Sequence, residues 1–491
     1  MTLLELWRRY GTRCGWRASA TARPLIFSRL TVLKCSRRRG KIARKHIILV
    51  LGIMIVPLGS CASYNPAPLG PDTTAALQTT TAALAAAAAR FEHPILAPVS
   101  VDFSKPLTAD MLAVLAVVGN PDLQAARKRA GVAAAQVFAA RLMPDPAINL
   151  SYDRRLSGPD PFDALAGQLA YELTALRDQR VANAAARAAA DQIHFDIAWR
   201  EWQTAQQAKL LGARISGLSK TVGLLSAAKA DEDDIVARMM RAVSWGDLSG
   251  ESLEMRKLSA AQLTSRLRQA KRDLSASRFD LTRLLGLPPE TKISLADFIP
   301  SAREWDAKLL LEDATSRRLD LRALEAGYVS QEAVVHKAVL DQFPKLQLTI
   351  SRAQDTAFNQ TVGSAVSFIL PLWNRNRGGI AVAEATRAQL RAEYAARVFA
   401  TRADIATLVD GLRLARLQRD EAARPMSSLE RLVASSDAAV QRGDMIAPAA
   451  SALRQSLFEK RALLAALDQS IAEQTVALEL SVGHPLAWLE R

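Results

Sequence analysis

The sequence predicts a mainly α-helical protein with a small β part, in which very long antiparallel helical hairpins carry four short strands. Three observations predict it. Hydrophobic residues make up 49% of the chain and aromatic residues only 5%, so Ala, Leu and Val supply the apolar surface, which suits thin helix packing better than a bulky core. Residues 120–154 align without a gap on residues 318–352, a spacing of 198, and a period this long marks a duplicated unit rather than a solenoid. In each copy the helical pattern stops at proline and gives way to a short alternating strand, "PDPAINLSYD" and then "FPKLQLTIS".

The chain opens with a basic leader. Residues 1–60 hold thirteen of the 64 Lys and Arg but only one acid, Glu5, so most of the net charge of +15 sits there. The remainder lacks the electrostatic footprint of a phosphate-backbone binder, and no nucleic-acid partner is expected. The apolar run 47–58 is shorter than the roughly 20 residues a spanning helix needs, and it follows "RRRGKIARKH". It reads as an export signal. Its end, Leu58-Gly59-Ser60-Cys61, resembles the lipobox of bacterial lipoproteins, which implies a lipid anchor such as palmitate on Cys61. Residues 1–40 exceed what such a signal needs and point to a start codon set too far upstream. Cys14 and Cys35 fall in the leader, so the exported chain keeps Cys61 alone and forms no internal disulfide. Residues 61–107 read as an N-terminal tether.

The first repeat, 108–304, contains a short helix over about 121–143, opened by Asn120-Pro121. A strand pair at 147–154 and 166–174 follows, then a long helix at 178–245 and a return helix at 248–284 that stops at "LLGLPP". The second repeat, 305–491, gives a helix over about 319–341, strands at 345–352 and 363–371, a long helix at 375–442 and a return helix at 445–482. At 1.5 Å per residue the long helices are roughly 100 Å, the return helices roughly 55 Å and the short ones roughly 35 Å. Two short helices can therefore stack end to end along one long one. Heptad-like steps support lateral packing: Leu211, Ile215, Leu218, Val222 and Leu225; Ile405, Leu408, Leu412 and Ala415; Leu453, Leu457, Leu464, Leu467, Ile471 and Leu478. Each rod ends in a similar turn, "SWGDLSGES" and "QRGDMIAPA", with Gly246 and Gly443 spaced by 197.

The strands weigh against a plain periplasmic coiled-coil scaffold, which predicts neither a barrel nor a detergent-resistant trimer. Ile148, Leu150 and Tyr152 alternate with Asn149, Ser151 and Asp153, and Leu346, Leu348 and Ile350 alternate with Gln347, Thr349 and Ser351. The second strands set Leu169, Tyr171 and Leu173 opposite Val366, Phe368 and Leu370. These twelve apolar residues form the expected lipid face of a membrane barrel, since strands of this length approach the roughly 9 to 11 residues that cross an outer membrane at a tilt. Four strands alone neither close nor hide their edges in lipid. Three copies give a closed twelve-stranded transmembrane β-barrel, and the same ring closes the helical hairpins into an α-barrel tunnel.

With these motifs in order, "NPDLQAARKRAGVAAAQ", "PDPAINLSY", "RLLGLPP", "FPKLQLTIS" and "PLWNRNRGGIAVAEA", the chain resembles the TolC-like outer membrane efflux proteins over about residues 105–485. The resemblance implies a homotrimeric channel-tunnel in the outer membrane, lipid-anchored, with a long periplasmic tunnel that joins an inner-membrane pump and a periplasmic adaptor protein to the exterior. It also implies that Gly246, Asp247, Leu248, Gly443, Asp444 and Met445 form the hairpin tips where the adaptor docks. "NRNRGGI" resembles the branch serving heavy-metal cation pumps, which are proton-driven, rather than the multidrug branch. The acidic ring of some relatives is missing from "APAASAL" and "SGESLEM"; Asp247, Glu251 or Asp444 could replace it.

The expected function is a passive efflux conduit for heavy-metal cations or drugs. The outer component of a type I protein secretion system is the alternative. No nucleophile–base set, phosphate loop or cofactor fingerprint stands out, so neither enzyme activity nor a cofactor is expected. The five histidines, His46, His93, His194, His336 and His484, lack ligand spacing. The run Asp231, Glu232, Asp233, Asp234 reads as a solvated acidic face rather than a cation site.

Overall fold

The computed structural model describes residues 64–69, 80–298, 303–445 and 447–490. The leader and Cys61 lie outside them. By internal contacts the chain divides into 1–69 and 70–491, and all secondary structure described below belongs to the second unit.

Residues 80–107 of the segment expected to be a tether contribute to the core instead. Helix α1, Thr81–Ala89, is capped by the Thr80 side chain, which accepts from the Ala83 N–H at 3.2 Å. Its Leu84 and Ala88, one turn apart, are buried with Leu96 and Leu107 in the first hydrophobic core. Leu107 also bonds into the 294–296 stretch through backbone on both sides. A tether would leave those four residues in water.

The two repeats follow in the expected order. The first comprises α2 (Ala109–Gly119), α3 (Pro121–Arg141), β1 (Ala147–Asp153), β2 (Ala164–Glu172), α4 (Thr174–Trp245) and α5 (Gly250–Leu284). The second comprises α6 (Ala307–Arg317), α7 (Leu319–Leu340), β3 (Leu346–Gln354), β4 (Gln360–Phe368), α8 (Arg377–Ala423), α9 (Met426–Arg442) and α10 (Ala447–Val482), with a short 3-10 turn at Leu486–Glu490. The 72-residue α4 is about 108 Å long at the standard rise.

The second long helix departs from expectation. It breaks at Arg424-Pro425 into α8 and α9. Proline has no N–H to close the bond back to residue 421, and its ring crowds that carbonyl. The position one repeat earlier is Ala228, inside the unbroken α4.

Along one half of its length α4 packs against α3 and α7, and along the other against α5 and α10; α8 packs against α7 and α10. Short helices therefore stack end to end along long ones. At the first junction the Asn120 side chain caps α3 and donates from Nδ2 to the Leu284 carbonyl at 3.2 Å. Gly119 and Gly286 face each other so closely that a Cβ on either would lie 2.2–2.3 Å from a backbone oxygen. At the second junction the Arg318 guanidinium donates to the Ser481 carbonyl, and Gly483 abuts Arg318. Asn120 and Arg318 are spaced by 198, and Gly286 and Gly483 by 197. Both glycines adopt positive φ, 66° and 92°, where a side chain would be strained.

Two main cores form at these junctions. One gathers Leu112, Leu115, Trp199, Trp202, Leu281 and Leu285; the other gathers Leu310, Ile405, Leu412, Leu478 and Val482. Of the expected seam residues, Leu211, Ile215, Leu225, Ile405, Leu412, Ala415, Leu457, Ile471 and Leu478 are buried, whereas Leu218, Val222, Leu408, Leu453, Leu464 and Leu467 are half-buried.

Candidate functional site

The strands form one antiparallel sheet in the order β1-β2-β3-β4, so the pair β2–β3 joins the two repeats. Prolines end the helical approach to it: β1 starts directly after Pro146, and β3 two residues after Pro344. Directly paired residues share a face of a sheet. Ile148, Leu150 and Tyr152 stand opposite Leu169, Gly167 and Leu165. Leu169 and Tyr171 stand opposite Ile350 and Leu348. Leu346 and Leu348 stand opposite Phe368 and Val366. Ten of the twelve residues expected on the apolar face thus share one side of the sheet.

The other two lie outside the strands. Leu173 has helical backbone angles (φ −72°, ψ −28°) as the residue that caps α4, although its N–H still donates to the Leu346 carbonyl at 2.9 Å. Leu370 follows the end of β4 and sits in a tight turn in which its carbonyl accepts from the Leu372 N–H. Both strands end earlier than periodicity suggests, because alternation says nothing about where the backbone turns helical. The register adds Leu165 and Val362 to the apolar side. Continuing the alternation outward from Leu169 and Val366 would have found them.

The apolar side is exposed: Leu150 is 72% and Val366 56% accessible. The other side carries Asn149, Ser151, Gln168, Glu172, Gln347, Thr349, Thr361 and Ser367 among alanines. Among the described residues, β1 and β4 have no outer partner strand. At the loop end the two connections grip each other. Phe162 N–H donates to the Thr356 carbonyl at 3.1 Å, Thr356 Oγ1 donates to Asp160 at 2.6 Å, and the Phe162 and Phe358 rings lie 4.9 Å apart.

The hairpin tips are the second candidate surface. Gly246 and Gly443 take φ of 83° and 80°, the left-handed region where glycine is favoured. The following N–H groups close identical bonds, from Asp247 to the Ala242 carbonyl at 3.0 Å and from Asp444 to the Ala439 carbonyl at 2.9 Å. Leu248 and Met445 are half-buried at equivalent places, and Asp247, Glu251 and Asp444 are exposed. Backbone equivalence does not extend to side chains. Asp444 pairs with Arg442 at 2.8 Å, whereas the position equivalent to Arg442 is Trp245, 74% exposed. Trp245 was missed by the turn motif, which is carried by its glycine and aspartate.

Between sheet and tips, ion pairs tie the helices together. Glu201 on α4 meets Arg127 of α3 at 2.6 Å and His93 of the N-terminal segment at 3.3 Å. Burial pushes its carboxyl up, but His93 and Arg127 outweigh that and hold it below the usual range. Asp320 is held below its usual range in the same way, burial being overcome by Arg318 at 2.8 Å and Arg397 at 2.9 Å. Arg318 also lies over the Trp199 ring at 4.8 Å. Lys209 bridges Asp110 at 2.8 Å and Glu479 at 3.1 Å; burial alone would push the ammonium down, yet the two carboxylates hold it above its ordinary value.

The acidic run on α4 is engaged by bases. Asp233 pairs with Lys229, Asp234 with Arg238, and Glu232 with Arg256 of α5 at 2.7 Å. Among the described residues no group of three or more His, Cys, Asp and Glu could hold a metal, and no helix is long and apolar enough to cross a membrane.

Neither a family model nor a curated protein matches the sequence. Solved structures do match the fold. CusC, described for its folding and transmembrane channel formation, is similar with a TM-score of 0.63 at 18% identity, over 80% of this chain and 99% of that one. The outer membrane protein VceC of Vibrio cholerae is similar with a TM-score of 0.64 at 18% identity, over 77% and 96%. The outer-membrane channel OprN is similar with a TM-score of 0.65 at 16% identity, over 86% and 99%. At these identities the likeness is one of fold: the chain has the architecture of these outer membrane channels, long helical hairpins with four antiparallel strands.

Proposed function

We propose that this chain is one third of a homotrimeric outer membrane channel-tunnel in a tripartite efflux system, a passive conduit from pump and adaptor to the exterior. One observation carries the reading: a four-stranded sheet with one exposed apolar side, one polar side and two unpartnered edges. Exposed edges are aggregation hazards in water and prohibitive in lipid. Three copies joined edge to edge make twelve strands, turn the apolar side to lipid and turn the polar side to a water-filled lumen. The helical layers of the three copies then extend the lumen as a tunnel.

In this reading Ile148, Leu150, Leu169, Ile350 and Val366 contact hydrocarbon, and Cys61 carries the lipid anchor. The tips, Gly246-Asp247-Leu248 and Gly443-Asp444-Met445, dock a periplasmic adaptor, and the inner-membrane pump is proton-driven. Asp247 or Glu251, repeated three times, supplies an acidic entrance that concentrates cations, whereas the charge of Asp444 is offset by Arg442. This favours heavy-metal cations as cargo, with drugs as the other small-solute class.

Gene deletion followed by a susceptibility panel tests the function. Hypersensitivity to zinc, cobalt, cadmium or copper alone is the expected result, and sensitivity to drugs alone moves the cargo to that class. Unchanged susceptibility with loss of a secreted polypeptide replaces efflux with type I secretion.

A further inference from the structure

The apolar side of the sheet changes chemistry at its loop end. On β3, Leu346, Leu348 and Ile350 are followed on the same side by Arg352. Beyond β1, Arg154 continues the alternation of Ile148, Leu150 and Tyr152. Both arginines are exposed. In register, Arg352 stands between Gly167 of β2 and Val362 of β4, and Gly167 in turn faces Leu150. Gly167 presents no side chain beside the guanidinium, and the Leu150 side chain leans across it, 3.4 Å from where a Cβ would stand.

Among the described residues Arg352 makes no ion pair; its Nη2 donates to Gln360 Oε1 at 3.2 Å. Asp163, at the same end, accepts from the Tyr152 hydroxyl at 2.5 Å and the Arg155 N–H at 2.9 Å and lies within electrostatic reach of Arg154, so the unpaired guanidinium is that of Arg352. A guanidinium on a hydrocarbon-facing surface is costly unless it reaches the headgroup layer or an anion. Six residues of strand separate Leu346 from Arg352, roughly 20 Å along the strand and about 15 Å of height at a barrel tilt of about 40°, so Arg352 reaches toward the outer boundary of an apolar band about 25 Å tall by extending its side chain.

We propose that Arg154 and Arg352 form a rim that binds the phosphate monoesters of an outer-leaflet glycolipid of the lipid A class. A guanidinium matches a phosphate through paired N–H donors, and the exposed Leu150 and Val362 offer an acyl chain apolar surface beside it. The inference rests on the membrane reading above.

The full chain is reconstituted into phosphatidylcholine vesicles that contain lipid A, dephosphorylated lipid A or neither. After flotation the protein is extracted in detergent, and the lipid it retains is measured by mass spectrometry. Wild type retains lipid A about 30-fold better than the dephosphorylated form. Arg154→Gln/Arg352→Gln loses that preference, and Arg154→Lys/Arg352→Lys keeps most of it. Equal retention of the two lipids by wild type overturns the proposal without depending on any variant, and so does an undiminished preference in the Gln variant. A wild-type chain that floats with no vesicle overturns the membrane reading and this proposal with it; one that floats with all three but does not discriminate overturns only the rim.

Discussion

Single side chains decide how three layers of helix are held together. Lys209 is the clearest case, because it lies between α2, α4 and α10 and is almost fully buried. Lys209→Met removes the ammonium and leaves Glu479 without its partner, while the exposed Asp110 loses little. The expected loss is about 2 kcal/mol, read as a lower midpoint in chemical denaturation, and an unchanged midpoint would show that the bridge contributes nothing. Acid sensitivity has a similar origin. Glu201 and Asp320 are held below their ordinary values in the folded chain. Their contribution is complete above the unfolded carboxylate range and is lost as pH falls through the lower, folded values. The double variant Glu201→Gln/Asp320→Asn should lose stability at neutral pH and show a flatter decline on acidification. A decline as steep as wild type would place acid sensitivity elsewhere.

Among the elements, the two halves differ most at Pro425. Ala228 lets α4 run unbroken from sheet to tip, whereas Pro425 divides the equivalent rod into α8 and α9. Ion pairs on both sides of the break hold the pieces to the return helix α10: Arg419 with Asp468 at 3.1 Å, Glu430 with Arg461 at 2.8 Å, and Asp437 with Arg454 at 2.8 Å. Pro425→Ala restores the missing N–H donor but gives the unfolded chain more freedom. A net gain of about 1 kcal/mol, with added helical circular dichroism, is the expected outcome; a lower melting temperature would mean that the native backbone needs the break.

At the scale of the whole molecule, the sheet has no partner strand at either edge among the described residues. Its β1 and β4 edges are the surfaces through which copies must join if the conduit reading holds. Sedimentation of the detergent-solubilised protein should give three chains per particle. A monodisperse monomer would leave both edges unpaired and end that reading.

Sequence alone determined the helix-strand-strand-helix-helix order of each half, the 197–198 spacing and the polar-apolar alternation of the strands. These are local properties, written in periodicity, glycine and proline. The tertiary structure decided what depends on residues far apart in the chain. Pairing of β2 with β3 brought the apolar residues of both halves onto one side, and it placed Arg352 beside Gly167. Packing turned residues 80–107 from an expected tether into part of the core, because Leu84 and Leu107 join a cluster with residues of α2, α4 and α5, the last two far along the chain. Register and burial are relations between distant segments, and no local pattern contains them.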